Sequence, residues 1–98
     1  MRLIYTSEAK LEITEAGSYY RRISKELAYE FKQRLVSALE DVKRNPDTWR
    51  KLDEKYHRKL LRQFPYGLIY HLPETDCIEV VALMHFSRGP DYWHGRRA

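Results

Sequence analysis

The pattern of hydrophobic and polar positions changes from helical to strand-like about halfway along the chain. Residues 7–23 carry apolar side chains at three- and four-residue steps, and residues 24–44 repeat this spacing more regularly. The second apolar stripe comprises Leu27, Phe31, Leu35, Leu39 and Val42. Because residues at this spacing share one face of a helix, both segments predict amphipathic helices that pack against another layer.

Polar residues and a proline mark the ends of these two predicted helices. Ser7 and Ser24 are candidate N-caps, because a serine hydroxyl accepts a hydrogen bond from the free N–H groups of a first helical turn. Glu8 and Glu12 are placed favourably for the positive end of the first helix dipole. Asn45-Pro46 ends the second helix, since proline disfavours helical geometry in the residue before it. We therefore expect two antiparallel helices joined by a tight turn.

One strand-like run precedes the helices and three follow them. Residues 2–6 predict a short strand, and a polar surface connector over residues 47–57 leads to the later runs. These three runs are residues 58–64, 68–72 and 77–86. The residues between them, 65–67 and 73–76, contain proline with glycine or aspartate and predict turns. The later runs therefore predict a meander of antiparallel strands.

The last of these runs is apolar on both of its faces. Strict alternation places Ile78, Val80, Ala82, Met84 and Phe86 on one face, and Cys77, Glu79, Val81, Leu83 and His85 on the other. A strand that is apolar on both faces is typical of the centre of a covered sheet. We expect this strand to be central and at least partly covered on both sides.

The order strand, helix, helix, strand, strand, strand predicts one α+β domain over residues 1–98. In this βααβββ arrangement the two-helix hairpin packs on one face of a small, mostly antiparallel sheet, because the helices must bury their apolar stripes. A chain of 98 residues has too little material for a second core. The other sheet face stays partly open unless the C-terminal residues or a partner cover it.

Charge and cysteine content limit the function classes. The formal net charge is +4, and the excess lies late, because residues 50–98 hold nine Lys and Arg against six Asp and Glu. Such a basic half suits nucleic acid, an acidic partner, or solubility alone. The single cysteine, Cys77, excludes an intrachain disulfide and suits a reducing cytosol. Since the longest apolar run is residues 80–84, we expect neither export nor membrane spanning, and hence a cytoplasmic protein.

The sequence predicts no metal site and no cofactor. The four histidines have no close ligand spacing, Cys77 has no partner cysteine, and no glycine-rich phosphate loop is present. What remains is a set of basic and ring-bearing side chains that would converge on the open sheet face: Arg58, Arg62, His85, Arg88 and Tyr92.

Two interpretations of this set stay open. Metal-independent RNA cleavage needs a base, an acid and cations on the developing charge, for which His85 or Glu79 would supply the first two and Arg62 with Arg88 the third. Alternatively, these arginines are solvated or paired with acids such as Glu79, and His85 is a hydrogen-bonded structural residue. In that case Tyr92 and Trp93 clamp the C-terminal residues onto the domain rather than bind a target.

Several motifs, taken in order, resemble the ParE-like branch of the RelE/ParE toxin superfamily. Phe64-Pro65-Tyr66 follows Arg62 and is followed by Ile69-Tyr70, and then the run over residues 80–83 leads into His85, Arg88, Pro90 and Trp93. The resemblance implies a βααβββ fold and the toxin of a type II toxin–antitoxin, or plasmid stabilisation, system. It also implies neutralisation by a cognate antitoxin whose disordered segment folds onto the toxin, in a hetero-oligomer.

The superfamily contains two activities, which the resemblance leaves as alternatives. RelE-like members cut messenger RNA in the ribosome, whereas ParE-like members inhibit DNA gyrase. The segment Arg88-Gly89-Pro90-Asp91-Tyr92-Trp93 resembles the ParE branch more closely, and the adjacent His-Tyr pair of some nucleases is missing. We therefore expect growth arrest by binding to gyrase. The alternative is a ribosome-dependent endoribonuclease with Arg62, His85 and Arg88 as catalytic residues.

Under the gyrase hypothesis, the basic and aromatic side chains of the second half contact the target. The expected target-binding residues are Arg58, Arg62, Arg88, Tyr92, Trp93, Arg96 and Arg97.

Overall fold

Two helices follow a first strand, as the hydrophobic pattern predicts. In the computed structural model, which describes residues 1–89 and 91–96, β1 is Arg2–Tyr5, α1 is Ser7–Ile23 and α2 is Lys25–Arg44. The Ser24 hydroxyl oxygen accepts from the Leu27 N–H at 3.0 Å, which confirms this N-cap. The prediction for Ser7 was wrong by one residue, because Thr6 has extended backbone and its Oγ1 accepts from the Ala9 N–H at 3.1 Å.

The remaining strands complete a five-stranded sheet, so the predicted α+β architecture with a helical hairpin on a mostly antiparallel sheet is confirmed. They are β2 (Arg50–Lys51), β3 (His57–Leu60), β4 (Tyr66–Glu74) and β5 (Cys77–His85). The sheet order is β1-β5-β4-β3-β2, in which β1 is parallel to β5 and the other neighbours are antiparallel.

The sequence pattern misplaced some ends of these strands. The two-residue β2 lies inside the segment predicted as a connector and pairs with the start of β3. The turn predicted at residues 65–67 was wrong, because β4 already begins at Tyr66. The chain reverses before it, where Gln63 takes a left-handed φ of 69°. Turn residues such as proline and glycine mark this region of the sequence but do not fix which residue bends.

A β-bulge in β5 changes which side chains face the helices. Ile69 pairs with Ala82 but Tyr70 pairs with Val80, so Val81 is the extra residue on β5. Strict alternation is therefore wrong beyond Val80. Val80 and Leu83 pack in the core under the helices, whereas Val81, Ala82 and Met84 pack on the opposite face.

Two apolar clusters cover the two faces of the sheet. The cluster under the helices includes a group of aromatic rings, in which the centroids of Tyr20 and Phe64 lie 4.9 Å apart and those of Phe31 and Phe64 lie 5.3 Å apart. The opposite face, which we call the tail face, is covered by the C-terminal tail (residues 91–96). Trp93 of the tail is only 2% exposed and packs there with Tyr56. The expectation that β5 is covered on both faces is confirmed, since its residues 77–84 are all buried.

Candidate functional site

The bulge in β5 directs the end of this strand toward the first helix, where a cleft of about 330 Å³ opens. We call it the α1–β5 cleft. The polar and aromatic residues that line it are Glu12, Glu15, Tyr19, Arg22, Tyr66, His85, Arg88 and Tyr92. Because Leu83 and His85 follow the extra residue of the bulge, they come to the helix side of the sheet. Sequence alternation alone puts them on the face opposite Val80.

His85 is held at the mouth of this cleft by its neighbours in the chain. Its Nδ1 accepts a hydrogen bond from the Ser87 backbone N–H at 3.0 Å and lies 2.8 Å from the Ser87 hydroxyl. Its ring meets the Tyr66 ring edge-on, with 5.1 Å between centroids. With Nδ1 accepting, the neutral imidazole carries its proton on Nε2. His85 thus lines the cleft near exposed Arg88, with Nε2 as its donor nitrogen.

Tyr92 lines the same cleft, and the guanidinium groups of two arginines lie against its ring. The guanidinium carbons of Arg88 and Arg96 lie 4.0 Å and 4.9 Å from its ring centroid. Its hydroxyl is buried beside the Glu12 carboxylate. Burial, and then the neighbouring Glu12 carboxylate, raise the pKa of Tyr92 to about 12. At neutral pH this ring is an uncharged platform that orients the Arg88 guanidinium.

Glu12 joins the tail to the helix and to the sheet edge. Arg96 donates to its two carboxylate oxygens at 2.8 Å and 3.2 Å, and the Leu83 N–H donates to Oε1 at 3.1 Å. Arg96 also donates to the Val81 carbonyl at 3.0 Å. Because β1 pairs only with the Cys77–Val80 part of β5, the backbone groups beyond it have no strand partner on that side among the described residues. The Glu12–Arg96 pair satisfies part of that edge.

A second cleft, of about 390 Å³, lies at the opposite edge of the sheet between α2 and β3. We call it the basic cleft. The polar and aromatic residues that line it are Arg34, Ser37, Asp41, Trp49, Lys59 and Arg62. Lys59 Nζ stands 3.7 Å from the Trp49 ring centroid and 3.5 Å from Asp41 Oδ2. Arg34 Nε donates to Gln63 Oε1 at 2.6 Å, which fixes its guanidinium against the turn that holds Arg62.

Arg58 lies on the tail face, away from both clefts. It pairs in register with Ile69, and its stem crosses Gly67, where an added Cβ would stand 3.1 Å from Arg58 Cγ. Glu79, considered as an acid or base, is buried, and its Oε1 lies 2.6 Å from His71 Nε2. Neither residue lines the α1–β5 cleft.

The structure thus separates the residues that the sequence grouped. His85, Arg88 and Tyr92 meet in the α1–β5 cleft, while Arg62 lines the basic cleft. Trp93 is buried against the tail face of the sheet, and Arg96 is paired with Glu12. Arg97 lies outside the described residues. Within residues 1–89 and 91–96, no group of three or more His, Cys, Asp and Glu side chains is arranged to hold a metal ion.

The sequence did not predict Glu12 as a site residue. It also did not predict that Arg34, Trp49 and Lys59 line the basic cleft. Glu12 was interpreted as a charge for the helix dipole, and its tail partner Arg96 is distant in sequence. The sequence signals for the basic cleft were Arg62, which had been grouped with His85 and Arg88, and Trp49, one of the few large apolar residues of the connector.

Comparisons with known proteins agree with the predicted family and fold. The family model described as "ParE toxin of type II toxin-antitoxin system, parDE" matches residues 3–90. No curated protein matches the sequence. Among solved structures, the chain is similar to one from the "Chromosomal ParDE TA system from P. aeruginosa", with 17% identity and a TM-score of 0.72. The alignment covers 87% of this chain and 95% of that chain, and at this identity it shows a shared fold.

Proposed function

The chain belongs to the ParE toxin family of type II toxin–antitoxin systems, and we propose that it arrests growth by binding DNA gyrase until its cognate antitoxin neutralises it. The observation that carries this proposal is the dispersal of its basic and imidazole side chains. His85 and Arg88 line one cleft, Arg62 lines a cleft at the other sheet edge, and Arg58 lies on the tail face. Such a layout suits a binding surface better than a catalytic site.

The covered tail face also supports a binding mode of action. General acid–base chemistry requires its groups within hydrogen-bonding reach of one substrate position. On the tail face, the His71 and Glu79 side chains are paired and only 7% and 8% exposed, while Trp93 fills the space above the sheet. An RNA strand would have to displace the tail to reach them. A gyrase surface, by contrast, can engage Arg88 and Tyr92 where they stand.

A ribosome-dependent endoribonuclease remains the second candidate, because one cleft does bring an imidazole beside carboxylates. His85 and exposed Glu15 line the α1–β5 cleft together with Arg88. Under this hypothesis His85 and Glu15 act as the general acid and base on the RNA, and Arg88 stabilises the developing negative charge. Glu12 is less suited to that role, since its carboxylate is bonded to Arg96.

Induction of the chain in bacteria distinguishes the two candidates. We expect wild-type chain to cause filamentation and DNA damage while incorporation of labelled amino acids continues. Arg88→Ala should weaken this toxicity, because it removes an exposed cation from the cleft. His85→Ala should leave most of it, because no proton transfer is needed. Rapid arrest of translation that His85→Ala abolishes would instead establish the nuclease.

The groove on the outside of the helical hairpin is suited to the antitoxin. It has a volume of about 460 Å³, and its apolar lining includes half-buried Ile13 and the exposed side chain of Val36, which is 44% exposed. Arg21 and Lys32 provide a basic rim. An amphipathic segment with acidic flanks matches both properties, and folding on binding suits an otherwise disordered partner.

Gly17 offers a matched pair of variants for this groove. It lies in the middle of α1, and a Cβ added there meets nothing within 4 Å. Gly17→Ala should leave antitoxin binding unchanged and raise the free energy of unfolding by about 1 kcal/mol through helix propensity. Gly17→Glu should weaken binding at least about tenfold, since a bulky carboxylate fills the groove and opposes an acidic partner. The measurement is calorimetric titration with the protein encoded beside this gene, and equal affinities for the two variants would exclude the groove.

A further inference from the structure

The basic cleft between α2 and β3 carries positive charge that its own carboxylate does not neutralise. Three cationic side chains line it, Arg34, Lys59 and Arg62, against the single carboxylate of Asp41. That carboxylate is also shared with Arg44, whose Nη1 lies 3.3 Å from Asp41 Oδ1. The cleft therefore carries an excess of at least two positive charges. Like charges placed together without compensation cost stability unless an anion joins them.

The donors of this cleft are largely unoccupied among the described contacts. Arg34 uses only its Nε, in the bond to Gln63, so its two terminal nitrogens have no described partner. Arg62 is exposed and makes no hydrogen bond or ion pair with any described residue. Because the Arg34–Gln63 bond holds one guanidinium against the turn that carries the other, both planar donor groups border the same opening. Planar guanidinium forks match the oxygens of a tetrahedral or planar oxyanion.

The floor of the cleft is preorganised. Trp49 donates from Nε1 to the Asp41 carbonyl at 3.3 Å, and its ring supports the Lys59 ammonium at 3.7 Å. Lys59 is thereby held with its side chain 17% exposed instead of moving freely in solvent. A charged group that is already fixed loses little entropy when it binds a ligand. The Ser37 hydroxyl adds an uncharged donor to the lining.

We propose that the basic cleft is a phosphate-binding site that takes either a free nucleotide or the backbone of a nucleic-acid strand. The charge balance favours phosphate over a protein carboxylate. A phosphomonoester carries about −1.5 to −2 at neutral pH, and two successive phosphodiesters carry a similar total, which matches the excess of two. A single glutamate or aspartate of a peptide supplies half of that. The volume of about 390 Å³ is within the range of small-ligand sites, about 300–1,000 Å³.

This site is distinct from the α1–β5 cleft and from the hairpin groove, and it does not depend on gyrase as the target. Arg62, grouped in the sequence with His85 and Arg88, thereby receives a separate role. A toxin that occupied a protein surface through one cleft would still have this second cleft at the opposite sheet edge for phosphate.

The two tryptophans provide the readout. Trp49 is in the basic cleft, whereas Trp93 is buried against the tail face of the sheet. In NMR spectra the indole N–H resonance of Trp49 therefore reports on the cleft, and that of Trp93 is an internal control. The probes are adenosine monophosphate, a short single-stranded DNA oligonucleotide and a glutamate-rich peptide. We expect a saturable shift of the Trp49 resonance with a phosphate probe and none of the Trp93 resonance. A shift with the nucleotide identifies a free-ligand site, and a shift with the oligonucleotide alone identifies a backbone site.

Charge-matched variants separate the cleft from general basicity. Arg34→Ala combined with Arg62→Ala should weaken phosphate binding at least about tenfold and flatten its salt dependence. Lys10→Ala combined with Lys25→Ala removes the same charge from exposed helix positions and should change affinity by less than about twofold. Arg34→Lys combined with Arg62→Lys should retain only part of the affinity, since the forks are lost. Wild-type affinity in the arginine-to-alanine variant, no shift with either phosphate probe, or stronger binding of the peptide would overturn the proposal.

Discussion

Glu12 connects three parts of the molecule through one carboxylate. It accepts from Arg96 of the tail and from the Leu83 N–H of β5, while its own backbone belongs to α1. The pair is mostly buried, with side chains 14% and 18% exposed. Removing one partner of such a pair leaves a desolvated charge, which costs more than a surface ion pair contributes. The position of Tyr92, and through it that of Arg88, therefore depends on this ion pair.

The ionisation of Tyr92 should make the stability of the fold depend on pH in the alkaline range. Its pKa is raised from 10.0 to about 12 by burial and by Glu12, so the folded chain holds the phenolic proton more tightly than the unfolded chain. The corresponding stability is complete below pH 10 and is lost as pH rises toward about 12. We expect Tyr92→Phe to show a flatter alkaline decline in urea unfolding. Parallel declines for the two proteins would contradict this environment for the hydroxyl.

The tail acts as a structural element although it contains no helix or strand. Its ring contacts replace backbone pairing, since the Trp93 ring lies 4.7 Å from the Tyr56 centroid and 4.0 Å from that of His94. Deleting residues 91–98 would therefore expose the tail face as well as remove Tyr92. Loss of toxicity in such a truncation would not identify a binding surface, and single substitutions in the α1–β5 cleft are the sharper test.

Trp93→Ala measures how much the tail contributes to the fold. Because the indole is buried against the sheet, its removal leaves a cavity and should lower the free energy of unfolding by about 3–5 kcal/mol. Tyr29→Ala, at a side chain that is 65% exposed on α2, should change it by less than about 0.5 kcal/mol. Denaturant unfolding followed by circular dichroism gives both values. If Trp93→Ala cost no more than Tyr29→Ala, the tail would not be part of the core.

Features that depend on local interactions could be predicted from the sequence, whereas features that depend on contacts between distant residues could not. The helices, the Ser24 cap and the internal, covered position of β5 follow from local spacing, although β4 is the middle strand of the sheet. The element order and the fold class were therefore predicted correctly. The bulge at Val81 was not, because it depends on pairing between β4 and β5 that no local pattern records. The same limit applies to the site, since the Glu12–Arg96 pair joins residues 84 apart in sequence.

At the scale of the whole molecule, three surfaces with different chemistry lie on separate parts of a small basic fold. The hairpin groove is apolar with a basic rim, the α1–β5 cleft presents Arg88 and His85, and the basic cleft lies beyond α2. A ligand on one surface need not occupy another. An antitoxin seated in the hairpin groove would then neutralise the toxin by extending onto the α1–β5 cleft, which shares α1 with the groove.

The most direct test of the account is a supercoiling assay with purified DNA gyrase, relaxed plasmid and ATP. We expect the purified chain to cause a dose-dependent loss of supercoiling. Arg88→Ala should weaken this inhibition, and the protein encoded beside the gene should reverse it. A cell-free translation reaction treated with the same doses should continue unchanged. Full supercoiling at doses that stop translation and cut the messenger RNA would contradict gyrase binding as the mode of action.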